Sequence, residues 1–290
     1  MQFNAALQLE PRCADAFNGL GLCCSKEGDL DTSSRCYKSA LALKPDFYFS
    51  LYNLANNYYL QHNYSEAISL YMRAMAVAQK KNHKVDPDLL SSLASVYRDR
   101  AMAPGAITKD QDLTRAHQFY EKALSIDNNL PQAHAMLGRL YLDEKRFPQA
   151  EKELRAAISL KDDYSYAYYV LGRLYLQKKE YPAALVAYHN SLKYENVSSY
   201  KQDTASEMSQ LGVPADISDH FARGYEAMNS GDWALAESEF EAVSGKDGTF
   251  AAVALNNLGY ALARQKKFAE AIESYKKAIA ANPHGQPEFY

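Results

Sequence analysis

Few residues in this chain break or bend a helix. Across 290 residues there are only 13 glycines, 10 prolines and one tryptophan, and the glycines and prolines recur at intervals. Runs of β-branched residues are scarce. The apolar residues are dominated by Ala, Leu and Tyr, which favours helix over strand. No stretch approaches the roughly 20 consecutive apolar residues that span a bilayer, and the N-terminus has no charged-then-apolar leader pattern. A soluble chain without membrane insertion is therefore expected, cytoplasmic by default. Positive charge is not in excess either: 32 Lys and Arg stand against 35 Asp and Glu, a net charge of -3. Phosphate-backbone binding needs concentrated positive charge, so nucleic acid is not an expected partner.

Catalytic and metal-binding patterns are missing too. The seven histidines, His62, His83, His117, His134, His189, His220 and His284, are dispersed, with no pair at the i, i+4 spacing of a helical metal site. There is no Gly-rich phosphate loop and no Gly-x-Ser-x-Gly elbow. The four cysteines, Cys13, Cys23, Cys24 and Cys36, cluster, yet they have neither zinc spacing nor a Cys-x-x-Cys pair. No enzyme activity, cofactor or metal is expected. Reduced thiols fit a cytosolic chain, while sequons at Asn63 and Asn196 keep secretion open.

What the chain does have is a repeat of 34 residues, a period that decides architecture before any local feature. With Ala14 as place one, Phe17, Leu20 and Gly21 fall at places four, seven and eight, and Tyr37, Ala40 and Pro45 at twenty-four, twenty-seven and thirty-two. The pattern returns with Leu54, Ala55, Ala67 and Tyr71, and again with Leu93, Ala94, Ala116 and Tyr120. It continues with Leu137, Gly138, Ala150 and Leu154, then Leu171, Gly172, Ala184 and Tyr188. Gly224, Ala236 and Phe240 belong to a sixth unit, and Leu258, Gly259, Ala271 and Tyr275 to a seventh. Small residues at places eight, twenty and twenty-seven let helices approach closely, and large residues between them fill the gaps. Place seventeen wedges the inner turn with Leu30, Tyr64, Leu113, Phe147, Tyr181, Trp233 and Phe268.

These residues resemble the tetratricopeptide-repeat (TPR) family over nearly the whole chain. The resemblance implies an all-α fold, a right-handed superhelical solenoid of antiparallel helix hairpins. The expected units are 14–47, 48–86, 87–130, 131–164 and 165–196, then a 197–216 spacer, two units at 217–251 and 252–285, and a 286–290 tail. Residues 1–13 match the second helix of a truncated unit, and only His284 to Tyr290 follow Pro283. Both ends read as cut from a longer array or a larger protein, and uncapped ends allow self-association.

In such an array the first helix of each unit lines a concave groove. The candidate peptide-binding residues are Phe49, Tyr52, Asn53, Asn56, Tyr59, Arg98, Arg139, Tyr166, Tyr169 and Arg173 in the first five units. Phe221, Tyr225, Asn256, Asn257, Tyr260 and Arg264 continue the set in the last two. Asn bonds an extended backbone in both directions, Tyr adds rigid area with a polar tip, and Arg grips carboxylates. Arg98, Arg139 and Arg173 read as a positive stripe for a partner with acidic residues; pairing with Asp99 or Asp143 is the alternative. The family's carboxylate clamp for chaperone tails is not matched. Asn53 fits its middle place, but Asn18 and Asp88 stand where lysines are required. Asn occupies place six only at Asn53 and Asn257, too few for the asparagine ladder of glycosyltransferase-linked arrays. The expected function is a noncatalytic adaptor or scaffold that binds an extended peptide or a partner helix. The alternative is the targeting segment of a larger enzyme or of an envelope or secretion assembly machine.

Overall fold

A computed structural model describes residues 13–80, 85–194, 206–207, 215–245 and 249–281. The expected orphan helix at 1–13, apart from Cys13, lies outside the described residues, as do most of the 197–216 spacer, Pro283 and the 286–290 tail. Among the described residues there is no strand. Two compact units, 1–146 and 147–290, divide the chain. The first holds α1 (Ala14–Lys26), α2 (Leu30–Leu43), α3 (Tyr48–Leu60), α4 (Tyr64–Lys80), α5 (Pro87–Met102), α6 (Lys109–Ile126) and α7 (Pro131–Asp143). The second holds α8 (Phe147–Leu160), α9 (Ser165–Lys178), α10 (Tyr181–Tyr194), α11 (Ala215–Ser230), α12 (Trp233–Ser244), α13 (Thr249–Arg264) and α14 (Phe268–Ala281). Ser206 and Glu207 are also helical.

Consecutive helices pair as hairpins, α1 with α2, α3 with α4 and α5 with α6 in the first unit, and α9 with α10, α11 with α12 and α13 with α14 in the second. The same turn follows the first helix in all but the third of the seven repeats. Gly28, His62, Lys145, Lys179, Gly231 and Lys266, all at place fifteen, have φ between 59 and 82°. The next residue then donates its N–H to the carbonyl five back, as in Asp29 to Cys24 at 2.9 Å, Asn63 to Tyr58 at 2.8 Å and Glu180 to Tyr175 at 2.9 Å. This left-handed closure satisfies carbonyls that the end of the first helix leaves open. Place seventeen then starts the second helix at Leu30, Tyr64, Phe147, Tyr181, Trp233 and Phe268. Leu113 instead lies inside α6, which begins four residues earlier, at Lys109.

The connection between α5 and α6, residues 103–108, is tied down at its ends. Arg100 makes a bidentate pair with the fully buried Asp112 (Nε–Oδ2 2.8 Å, Nη2–Oδ1 2.7 Å), and Thr108 Oγ1 donates to the same carboxylate at 2.7 Å. Burial would raise the Asp112 pKa, but the hydrogen bonds from Arg100 and Thr108 outweigh it and hold the carboxyl below its ordinary value.

Close packing within the hairpins follows the small places of the repeat. A Cβ on Gly172 would stand 2.4 Å from Tyr188 Cδ1, and one on Gly21 would stand 2.6 Å from Tyr37 Cε1. Each ring at place twenty-four thus lies directly over the backbone at place eight. The core of the first unit gathers Tyr37, Leu51, Leu54, Tyr71, Leu93 and Tyr120, and part of the second is built around Phe221, Phe240, Val243 and Leu262. Burying each such side chain contributes about 1.5–3 kcal/mol, set against the entropy of ordering it.

Polar side chains also join one hairpin to the next. Buried Asn57 on α3 donates to Ser33 Oγ at 2.9 Å and Ser34 Oγ at 3.1 Å on α2. Asn18 Oδ1 on α1 accepts from Ser50 Oγ at 2.9 Å. All four cysteines are free; Cys36 is buried, and Cys13 caps α1 by accepting from Ala16 N. Among the described residues no helix is long and apolar enough to cross a membrane.

Candidate functional site

In the first unit the inner-face residues lie along α3, α5 and α7. Phe49 is 61% exposed on α3, edge-on to Tyr48 with ring centres 5.5 Å apart. Tyr52, Asn53 and Asn56 follow on the same face of the helix, each partly exposed. Each also has an internal contact: Tyr52 Oη lies 3.2 Å from Ser92 Oγ, Asn53 Nδ2 donates to Asn18 Oδ1 at 3.5 Å, and Asn56 Oδ1 accepts from the Tyr71 hydroxyl. Tyr59 donates to Asp99 Oδ2 at 2.5 Å. Burial, and then the Asp99 charge, raises the Tyr59 phenol, which therefore stays protonated as a donor.

The expected positive stripe is not a bare cationic surface. Arg98 is buried and pairs with Asp99 at 2.6 Å and Asp143 at 3.4 Å, while Arg139 pairs with Asp143 at 3.2 Å. In the second unit Arg173 Nε lies 3.4 Å from Glu207 Oε1. Each arginine faces a carboxylate, because a guanidinium turned toward the low-dielectric interior of an array needs a counter-charge. The alternative pairing with Asp99 and Asp143 is the arrangement observed. Glu207 gave no signal in the sequence, since it lies in the spacer, where no repeat place predicts its direction.

The other candidates of the second unit divide into two groups. Tyr166 and Tyr169 are buried, and Phe221 is 1% exposed in the core, with ring centres 6.0 Å from both Tyr225 and Phe240. Phe221 therefore fills the interior of its own hairpin pair rather than a groove surface. Its inner-face place is offset by the packing of Phe240 and Phe250 around it. Tyr225, Asn256 and Asn257 come together at a cavity of about 520 Å³ that Tyr168, Asn190 and Arg155 also line. Asn257 Nδ2 donates to Tyr225 Oη at 2.7 Å, and burial raises the Tyr225 phenol. Asn256 Oδ1 is buried with no hydrogen-bond partner among the described residues.

Tyr260 and Arg264 remain outward. Both are exposed, Arg264 Nη1 donates to Tyr260 Oη at 3.2 Å, and its guanidinium sits 4.4 Å from the Trp233 ring centre. Such stacking holds a cation flat against an aromatic face.

Histidines contact neighbouring side chains or backbone: His62 lies 3.0 Å from the Tyr64 hydroxyl, His117 3.0 Å from Glu144, His134 3.0 Å from the Asn128 carbonyl and His220 2.7 Å from Glu239. Among the described residues no group of three His, Cys, Asp or Glu is placed to hold a metal.

A repeated hairpin with the same closing turn, the same glycine under the same ring, and polar links from one first helix to the next defines a protein of the helical-repeat class. Four sequence models described as Tetratricopeptide repeat match residues 14–47, 50–87, 108–168 and 221–285, together more than half of the chain. The chain belongs to the tetratricopeptide repeat family. Solved structures share the fold at low identity. TTC0263, a thermophilic TPR protein of Thermus thermophilus, is 18% identical, with 69% of this chain and 98% of that one covered and a TM-score of 0.58. Human IFIT1, in a dimer with PPP-AAAA, is 17% identical over 96% of this chain and 57% of its own, with a TM-score of 0.61. A chain of the APC/C hetero-tetramer Cut9–Hcn1 is 14% identical over 96% of this chain and 45% of that one, with a TM-score of 0.60. No curated protein matches the sequence.

Proposed function

We propose that this protein is a noncatalytic scaffold that holds an extended segment of a partner protein along its first helices, with the face of α3 as the main anchor. Interaction scaffolding is the role that the tetratricopeptide fold suggests. The observation that carries the finer reading is the exposed Phe49 ring, with Tyr52, Asn53 and Asn56 on the same helix face. An exposed aromatic beside partly free amides suits a peptide: the ring gives contact area at low entropy cost, and the amides meet backbone groups. Several such contacts would sum to a micromolar affinity, about -8 kcal/mol. The net charge of -3 and the paired arginines weigh against a phosphate backbone as ligand.

The test begins with peptides selected on the purified protein from a random library. Their dissociation constants are then measured against the parent and a Phe49→Ala, Tyr52→Ala, Asn53→Ala variant. At least tenfold weaker binding by the variant, with unchanged helicity by circular dichroism, is expected. Unchanged affinity would remove α3 as the anchor.

A further inference from the structure

Three donors of the second unit converge on one carboxylate from outside the repeats. Tyr169 Oη donates to Glu207 Oε1 at 3.3 Å, Arg173 Nε stands 3.4 Å from the same oxygen, and the Tyr188 hydroxyl donates to Glu207 Oε2. Tyr188 and Tyr169 are buried and come from both helices of one hairpin, α10 and α9, so their hydroxyls are held in place by packing. The Arg173 guanidinium lies 5.9 Å from the centre of the Tyr169 ring, which further limits its freedom. Two neutral hydroxyl donors and one cation, aimed at the two oxygens of a single group, match the acceptor geometry of a carboxylate. Burial, then the Glu207 hydrogen bond, raises the Tyr188 phenol and keeps it a donor.

We infer that Tyr169, Arg173 and Tyr188 form a carboxylate-binding site which the chain fills with its own Glu207, and which accepts an acidic side chain of a bound partner by exchange with it. The inference rests on the scaffold reading and names one feature that the second unit recognises, an acidic side chain at α9. It differs from the carboxylate contacts of the first unit in where the acid comes from. Asp99 belongs to α5, a first helix locked in its own hairpin, whereas Glu207 belongs to the stretch between two hairpins. As part of the same chain, Glu207 competes intramolecularly with any such side chain. A partner would need that contact plus others on the second unit to displace it.

The probe is a fluorescein-labelled peptide with the sequence of residues 202–211, together with a copy in which the glutamate at 207 is replaced by glutamine. Anisotropy titrations would compare the parent protein, Glu207→Ala, Glu207→Gln and the double variant Arg173→Ala, Glu207→Ala, with circular dichroism on each. The glutamate peptide should bind both Glu207 variants at least tenfold more tightly than the parent. That gain should disappear in the double variant and with the glutamine peptide. Equal binding by parent and Glu207 variants, equal binding of the two peptides, or no binding to the variants would each overturn the inference. The Phe49, Tyr52 and Asn53 measurement is independent of all three outcomes, so failure here is distinguishable from failure of the scaffold reading.

Discussion

At the scale of single residues, buried charge decides more than surface charge in this protein. The Asp112 side chain is fully buried and held by Arg100 and Thr108. Replacing it with asparagine would leave Arg100, itself a quarter exposed, without its counter-charge, a change that costs about 1–3 kcal/mol. Urea unfolding followed by far-ultraviolet circular dichroism should show the midpoint of Asp112→Asn falling well below that of the parent at pH 7. An unchanged midpoint would contradict the reading. The sign of the pH dependence follows from the depressed carboxyl. Its contribution is present above the unfolded value of about 3.9 and is lost as the pH falls through the lower folded value. The gap between variant and parent should therefore close at acidic pH. Arg98 teaches a related lesson. An arginine at an inner-face place reads from the sequence either as a ligand grip or as half of an internal pair, and the packed helices pair Arg98 with both Asp99 and Asp143.

At the scale of the element, the hairpin turn is the feature that the repeat pattern hid. Place fifteen takes a left-handed backbone at six positions, yet only Gly28 and Gly231 are glycines there; His62, Lys145, Lys179 and Lys266 fill the rest. Without the expected glycine the turn gives no compositional signal, although the repeated hydrogen bond across it is the same. The core, by contrast, was legible. Gly172, Ala184 and Tyr188 recur at their spacing because the ring must lie over a backbone with no side chain. A left-handed non-glycine residue costs about 1–2 kcal/mol. Glycine relieves that strain while adding unfolded-state entropy. Lys179→Gly should therefore raise stability by up to about 1 kcal/mol, read as a higher thermal midpoint. A lower midpoint would mean that the Lys179 side chain itself stabilises the turn.

At the scale of the whole molecule, periodicity specifies an array because each hairpin cannot bury its apolar face alone and must stack on a neighbour. Periodicity does not say which inner-face residues stay free. That depends on how far each hairpin turns against the next, a quantity with no sequence signature. Hence Phe49 and Tyr260 are exposed, whereas Phe221 at an equivalent face is enclosed by Phe240 and Phe250. Tyr169 and Arg173 turn toward Glu207. The low identity of the structural relatives, 14 to 18%, carries the fold across and leaves the ligand open. The central claim is that a partner segment lies on the first helices. It is tested most directly by hydrogen exchange, read by mass spectrometry, on the protein with and without a saturating peptide selected as above. Slower exchange on first helices, with α3 and its neighbours α1 and α5 protected and the second helices α2, α4 and α6 unchanged, is the predicted result. Protection confined to α2, α4 and α6, with α3 unchanged, would place the partner on the opposite face and contradict the account.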